Sequence, residues 1–302
     1  MKKLVVYLFF FLSISSFSQE DAWVYFTNKP NAQYYLDNPL QMLTSRPLLR
    51  RTNQNIPLTT NDVPVHQPYI DQVDAMPGIV VMAKSKWMNC VHVRGALSDI
   101  QTLSSLSFVS SVYFANPALN VRVSIPVLES NLSKKFETEI TYSYGNSANQ
   151  VQMLNGHLLH QSDYTGTGKI IAVLDSGFLN ANTIQPLQNL FTSGLVLGGY
   201  NYVSGSTDVY ALDSHGTMVL SCMGGKVDGQ LIGTAPTAQY YLFITEDVVI
   251  ENPVEESYWV EAAELADYYG ADVINSSLGY FEYDNPNYSY QYADMTGIKT
   301  FA

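Results

Sequence analysis

Apolar residues are spaced in several different ways along this chain, and each spacing predicts a different kind of segment. Leu4 to Leu12 is an unbroken apolar run, preceded by Lys2 and Lys3 and followed by Ser16-Phe17-Ser18. A basic start, a short apolar stretch and a small-x-small site predict a cleaved signal peptide over 1–18. The run is too short for a membrane span, which needs about 20 residues. Residues 19–118 predict a small α+β unit. Gly78–Ala83 and Trp87–Val93 are expected as strands, the second with apolar residues on both faces. Ser98-Asp99-Ile100-Gln101 has the form of a capping box, and Ile100, Leu103 and Leu106 recur every third residue as one helical stripe. Phe108–Phe114 returns as a strand. Residues 119–145 are polar, with Glu129, Lys134, Lys135 and Glu137, and are expected as a linker with a processing site.

From 146 onward the spacing predicts alternating strands and helices. Ile170–Leu174 is continuously apolar, as in a strand buried on both faces, and Gln239–Thr245 is a second strand. Asn252, Pro253 and Glu255 can start a helix whose stripe is Trp259, Ala262, Ala263 and Ala266, with Gly270 at its end. Asp272–Asn275 opens the next strand. This is a βαβ pattern, so a parallel sheet with right-handed crossovers is expected, with ligands beyond the carboxyl ends of its strands.

Composition narrows the class. Of 302 residues, 46% are hydrophobic and 14% charged, enough for about two packed domains and too apolar for a disordered chain. The net charge of −12 argues against a nucleic-acid surface and against adhesion to an anionic membrane. Two cysteines cannot make a disulfide framework; Cys90 and Cys222 are expected as buried free thiols. The acidic run Glu246, Asp247, Glu251, Glu255 and Glu256 is expected as a solvated face, because no defined calcium loop matches it.

Four segments carry candidate chemistry. Asp175 ends the apolar strand in Leu174-Asp175-Ser176-Gly177, where a carboxylate sits at a strand tip. His215 opens a short helix in Ser214-His215-Gly216-Thr217-Met218-Val219, with Asp213 just before it as a helix N-terminal acid. Gly233-Thr234-Ala235-Pro236 precedes a strand. Val273-Ile274-Asn275-Ser276-Ser277-Leu278-Gly279 leaves the sheet through small residues. Taken singly these read as turns, caps and a core histidine.

In this order and spacing the four segments resemble the subtilisin-like serine peptidases (S8), over about 146–302, and 75–115 resembles the inhibitory prodomain of that family. The resemblance implies a partial subtilisin-like parallel sheet with helices on both faces, preceded by a ferredoxin-like α+β prodomain at 19–118. It implies that Asp175 is the triad aspartate, that His215 is the general base, and that Ser277, Leu278 and Gly279 bind substrate as a strand. The family's nucleophile segment, Gly-Thr-Ser-x-Ala, and its oxyanion asparagine have no counterpart here, and both are expected beyond Ala302. The 302 residues by themselves are therefore expected to be inactive and to leave an apolar sheet edge exposed. No metal ligand set and no cofactor are expected, although many members of the family bind structural calcium. The implied partners are a peptide or protein substrate and the chain's own prodomain, and the implied location is extracellular. The alternative is an exported, non-catalytic pseudo-peptidase that grips peptides. A third class, an α/β-hydrolase esterase, is disfavoured because no Gly-x-Ser-x-Gly elbow occurs in these residues.

Overall fold

The computed structural model describes residues 19–120 and 142–294. The expected signal peptide at 1–18, most of the expected linker, and the chain end at 295–302 lie outside the described residues.

The N-terminal unit runs β1 (Gln19–Phe26), α1 (Ala32–Asp37), α2 (Ser45–Gln54), α3 (Gln67–Asp74), β2 (Ile79–Ser85), β3 (Cys90–Ala96), α4 (Leu97–Thr102) and β4 (Val109–Phe114). Its strands form an antiparallel sheet in the order β2-β3-β1-β4, the ferredoxin-like arrangement, with α1 and α2 inserted between β1 and α3. Side chains alternate across this sheet. Ala22, Val24, Phe26, Val91 and Val93 face α3 and α4 in one core. Trp23, Cys90 and Tyr113 face the other way, against Trp259 and Val260 of the second unit. The mixed faces of the 87–93 segment follow from this, because both sides of β3 are buried. The strand itself begins at Cys90: Trp87–Asn89 form a turn in which Asn89 takes a left-handed φ of 53°. The expected capping box at Ser98 is not formed. Helix α4 starts at Leu97, and Ser98 Oγ instead contacts the Asp99 carboxylate at 3.3 Å.

The second unit runs α5 (Ala148–Met153), α6 (Gly156–Gln161), β5 (Ile170–Asp175), α7 (Gln188–Thr192), β6 (Val196–Asn201), α8 (His215–Gly224), the short β7 (Lys226–Val227) and β8 (Leu231–Ile232), β9 (Gln239–Ile244), α9 (Val254–Tyr269) and β10 (Val273–Ser276). Its parallel sheet has the order β10-β5-β9-β6. All six residues of β5 are buried. Alternate residues of the sheet pack against α8 on one face, through Ile171, Val173, Leu242 and Leu220, and against α9 on the other, through Ala172, Leu174, Phe243, Ala262, Ala263 and Ala266. Helices thus cover both faces, as the apolar runs imply. At the edge, β10 pairs only with β5 among the described residues, leaving Val273 53% and Ile274 38% exposed.

The units are joined along α9. Trp23 Nε1 donates to Ser257 Oγ at 2.9 Å. The Glu264 carboxylate accepts from Ser85 Oγ at 2.7 Å and from the Lys86 and Trp87 amides at 3.0 Å each.

The acidic run is only in part a solvated face: Glu251 is exposed, and Glu246 and Asp247 are half-buried. Glu255 and Glu256 are buried. Glu255 accepts from the Asp247 and Asn252 amides, so the glutamate arm of the expected helix start at Asn252 is formed. Glu256 accepts from the hydroxyls of Tyr283 and Tyr290. Buried carboxylates persist where donors replace lost water, and these residues have them. Of the two thiols, Cys90 is buried, but Cys222 is exposed, on the solvent side of α8.

Candidate active site

Asp175 is the last residue of β5, and its side chain is fully buried. The chain turns sharply after it. Phe178 N donates to Val209 O at 3.2 Å and Leu179 N to Asp213 O at 3.0 Å, which latches the turn to the loop ahead of α8. Thr217 Oγ1 then donates to Leu179 O at 2.9 Å, tying the first turn of α8 to the same place. Gly216 is where the two segments touch: a Cβ there would lie 2.5 Å from Gly177 O and 2.9 Å from Asp175 Cβ. Glycine is what allows the strand tip and the helix mouth to approach.

Two residues 40 apart in the chain are thereby brought together. His215 Nδ1 lies 2.8 Å from Asp175 Oδ1. The carboxylate only accepts, so Nδ1 carries the proton and Nε2 has a free lone pair. The His215 side chain is 41% exposed whereas the Asp175 side chain is fully buried, so the acid end of the pair is dry and the base end is open. The hydrogen bond it donates to Asp175 raises the imidazole pKa above its ordinary value, opposed by burial and reinforced by the carboxylate's charge.

Around the pair lies a carboxylate–hydroxyl bridge that the sequence reading did not single out. Ser176 N donates to Asp175 Oδ1 at 2.8 Å, and Ser176 Oγ sits 3.3 Å from Asp175 Oδ1 and 3.1 Å from Asp213 Oδ2. Asp213 Oδ2 also accepts from His215 N at 3.3 Å, so it is the N-terminal acid expected there and in addition a strut to the strand tip. The Ser214 amide is the largest of several hydrogen-bonding causes that lower its pKa. Glu246, two residues past the end of β9, is a second carboxyl near the pair. Burial pushes its pKa up to about 7. Its place directly after a predicted strand was the available signal.

The remaining sequence-derived residues fall nearby in register. Ser276 pairs with Leu174, so Ser277, Leu278 and Gly279 leave β10 at the same end of the sheet as Asp175. Gly233-Thr234-Ala235 packs under α8, with the Thr234 and Ala235 amides donating to the carbonyls of Cys222 and Met223. No group of three or more His, Cys, Asp or Glu side chains arranged to hold a metal ion occurs among the described residues. Nor is any helix among them long and apolar enough to cross a membrane.

Comparison with known proteins gives a consistent frame. Residues 21–132 match the family model "Peptidase S8 propeptide domain, Bacteroidota". No curated protein matches the chain. Among solved structures it is similar to fervidolysin from Fervidobacterium pennivorans, described as a keratinolytic enzyme related to subtilisin, with 15% identity and a TM-score of 0.50 over 94% of this chain. It is also similar to the epidermin leader peptide processing serine protease of Staphylococcus aureus, with 15% identity and a TM-score of 0.43 over 86% of this chain. The chain spans 38% of the first of these proteins and 50% of the second. Residues 21–132 thus match a peptidase S8 propeptide model, and the similarity to fervidolysin shows a subtilisin-like fold.

Proposed function

We infer, from an S8 propeptide domain joined to a subtilisin-like unit, that this chain is the N-terminal part of an exported serine endopeptidase. In this reading Asp175 and His215 are the acid and base of an Asp–His–Ser triad. The observation that carries it is the 2.8 Å contact between His215 Nδ1 and a fully buried Asp175, with the far side of the imidazole open. His215 Nε2 would take the proton of the attacking serine and pass it to the leaving amine. Asp175 would hold the imidazole in its Nδ1–H tautomer and stabilise the imidazolium. A peptide would lie extended along Ser277-Leu278-Gly279, pairing its main chain with an edge that β10 leaves open.

The serine and the oxyanion donor are assigned to sequence beyond the 302 residues, since no Gly-Thr-Ser-x-Ala segment occurs within them. The propeptide domain would act as an inhibitor and folding template in cis, and Met1–Ser18 as the export signal. Residues 1–302 expressed alone should hydrolyse no peptide. A longer chain carrying the serine segment should cleave peptides, with Asp175→Asn lowering kcat about 10⁴-fold and His215→Ala about 10⁶-fold. Turnover in that longer chain that is insensitive to both substitutions would overturn the assignment. Secreted material beginning near Gln19 would support export.

A further inference from the structure

Helix α9 is gripped at both ends by the propeptide domain, and the two grips differ in kind. At its N-terminal end the contacts come from the ferredoxin-like sheet: Trp23 and His92 meet Ser257, and Arg94 meets Asn252. At its C-terminal end they come from α2 and the residue before it, within the segment inserted between β1 and α3. A helix leaves its last carbonyls without partners of its own. Here another unit supplies donors to one of them, Tyr268 O, and to the two carbonyls just past the helix, Gly270 O and Ala271 O. Thr44 Oγ1 donates to Tyr268 O at 2.8 Å, Arg46 Nε to Gly270 O at 3.0 Å, and Arg50 to Ala271 O.

The same arginines pair with the carboxylates that flank this terminus. Arg46 meets Asp272 at 2.6 Å, Arg50 meets Asp267 at 2.7 Å, and Arg51 meets both oxygens of Asp267, at 3.1 and 2.8 Å. Arg51 is held from behind by Asp62 at 2.7 Å. The Arg51 and Asp267 side chains are only 12% and 13% exposed, so this is not a loose surface pair. The fit is close. Gly270 adopts a φ of +79°, and a Cβ there would lie 2.8 Å from Arg46 Cγ. Arg46 also reaches Gly168 O at 2.9 Å, while Asp272 accepts from Ile170 N at 2.9 Å. The contact therefore lies at the amino ends of β5 and β10. The six residues of β5 put it about 17 Å from Asp175, at the opposite end of the sheet from the catalytic pair.

We propose that residues 44–51 form a second docking surface of the propeptide domain, specific for a helix C-terminus flanked by two carboxylates. This surface sets how tightly the domain stays bound once the linker is cut, independently of the active-site cleft. The proposal rests on the propeptide reading of the N-terminal unit, but not on turnover. Arginine forks at a desolvated contact are characteristic affinity determinants, and pairs this deeply placed are only weakly screened by salt.

The test uses the full chain with a site for a sequence-specific protease placed within 121–141. After nicking, association of the two pieces is measured by sedimentation velocity. The readout is the dissociation constant of the nicked complex. Arg50→Ala with Arg51→Ala should raise it at least about 30-fold. If that variant does not fold, Asp267→Asn tests the contact from the partner side and should weaken binding in the same direction. A constant that moves less than about threefold with whichever variants fold would overturn the proposal and leave the sheet face as the sole anchor. Absence of peptidase activity in the longer chain would remove the catalytic reading and leave this measurement unaffected.

Discussion

Truncating Glu264 should undock the two units. The residue is buried, and its carboxylate accepts three donors of the β2–β3 turn, at 2.7, 3.0 and 3.0 Å. In Glu264→Ala the Ser85 hydroxyl, itself buried, and the Lys86 and Trp87 amides lose their acceptor together. A buried donor left unpaired costs about 1–3 kcal/mol. Ser85 should carry the larger share, and the two half-buried amides the smaller, because water can reach them. Against that stands a gain: burial raises the pKa of Glu264, so removing the carboxylate relieves a desolvation cost. The net expectation is a loss of about 2–4 kcal/mol. Glu264→Gln keeps one oxygen for two donors but turns an NH₂ toward the Lys86 amide, and should lose roughly half as much. The assay is built into the sequence, since Trp23, Trp87 and Trp259 all pack at this interface. Urea unfolding followed by tryptophan fluorescence should show the first transition at lower urea for Ala, with Gln between. A shift below about 0.5 kcal/mol for Glu264→Ala would mean that water replaces the carboxylate at no cost, and the argument would fail.

Further outcomes follow from the same geometry. Glu246 and Glu255, pushed up to about 7 and about 8 by burial, keep protons that an unfolded chain loses near pH 4.5, so stability should fall as pH rises from about 5 to about 8. The raised pKa of His215 works in the same sense: its contribution is present below about 6.5 and is lost as pH passes the folded value. The lowered Asp21, Asp213 and Asp272 stabilise fully above about 3.8 and lose that contribution as pH falls from there through their lower folded values, so the urea midpoint should peak between about pH 4 and pH 6; a midpoint that climbs through neutrality would contradict this. Gly216→Ala should cost about 1–3 kcal/mol by forcing α8 away from the 175–177 turn, and should change the His215 imidazole resonances in NMR; unchanged resonances would exclude the close approach. Under native conditions a thiol reagent should modify Cys222 quickly and Cys90 only after denaturation, and equal rates for both would be inconsistent with this packing.

Much of the second unit was legible from local pattern. A short unbroken apolar run inside the chain, ended by Asp175 and Gly177, suits a strand covered on both sides, and β5 is one. The stripe Trp259, Ala262, Ala263 and Ala266 fixed α9 and its inward face. Asp175 and His215 were offered as catalytic candidates only by the resemblance of four ordered segments to the subtilisin-like peptidases; taken singly, those segments read as turns and caps. Strand β1 was not legible: Ala22, Val24 and Phe26 alternate with Trp23 and Tyr25, and a strand apolar on both faces has no period to read. The burial of Glu255 and Glu256, the exposure of Cys222 and the arginine contact at Gly270 depend on what lies opposite each side chain, and that partner can be more than 200 residues away in the chain. Local spacing determines which backbone shape a segment prefers and which side chains share a face. Whether a charge faces water, a tyrosine hydroxyl or a helix end depends on how those faces are brought together, and only the folded chain decides that.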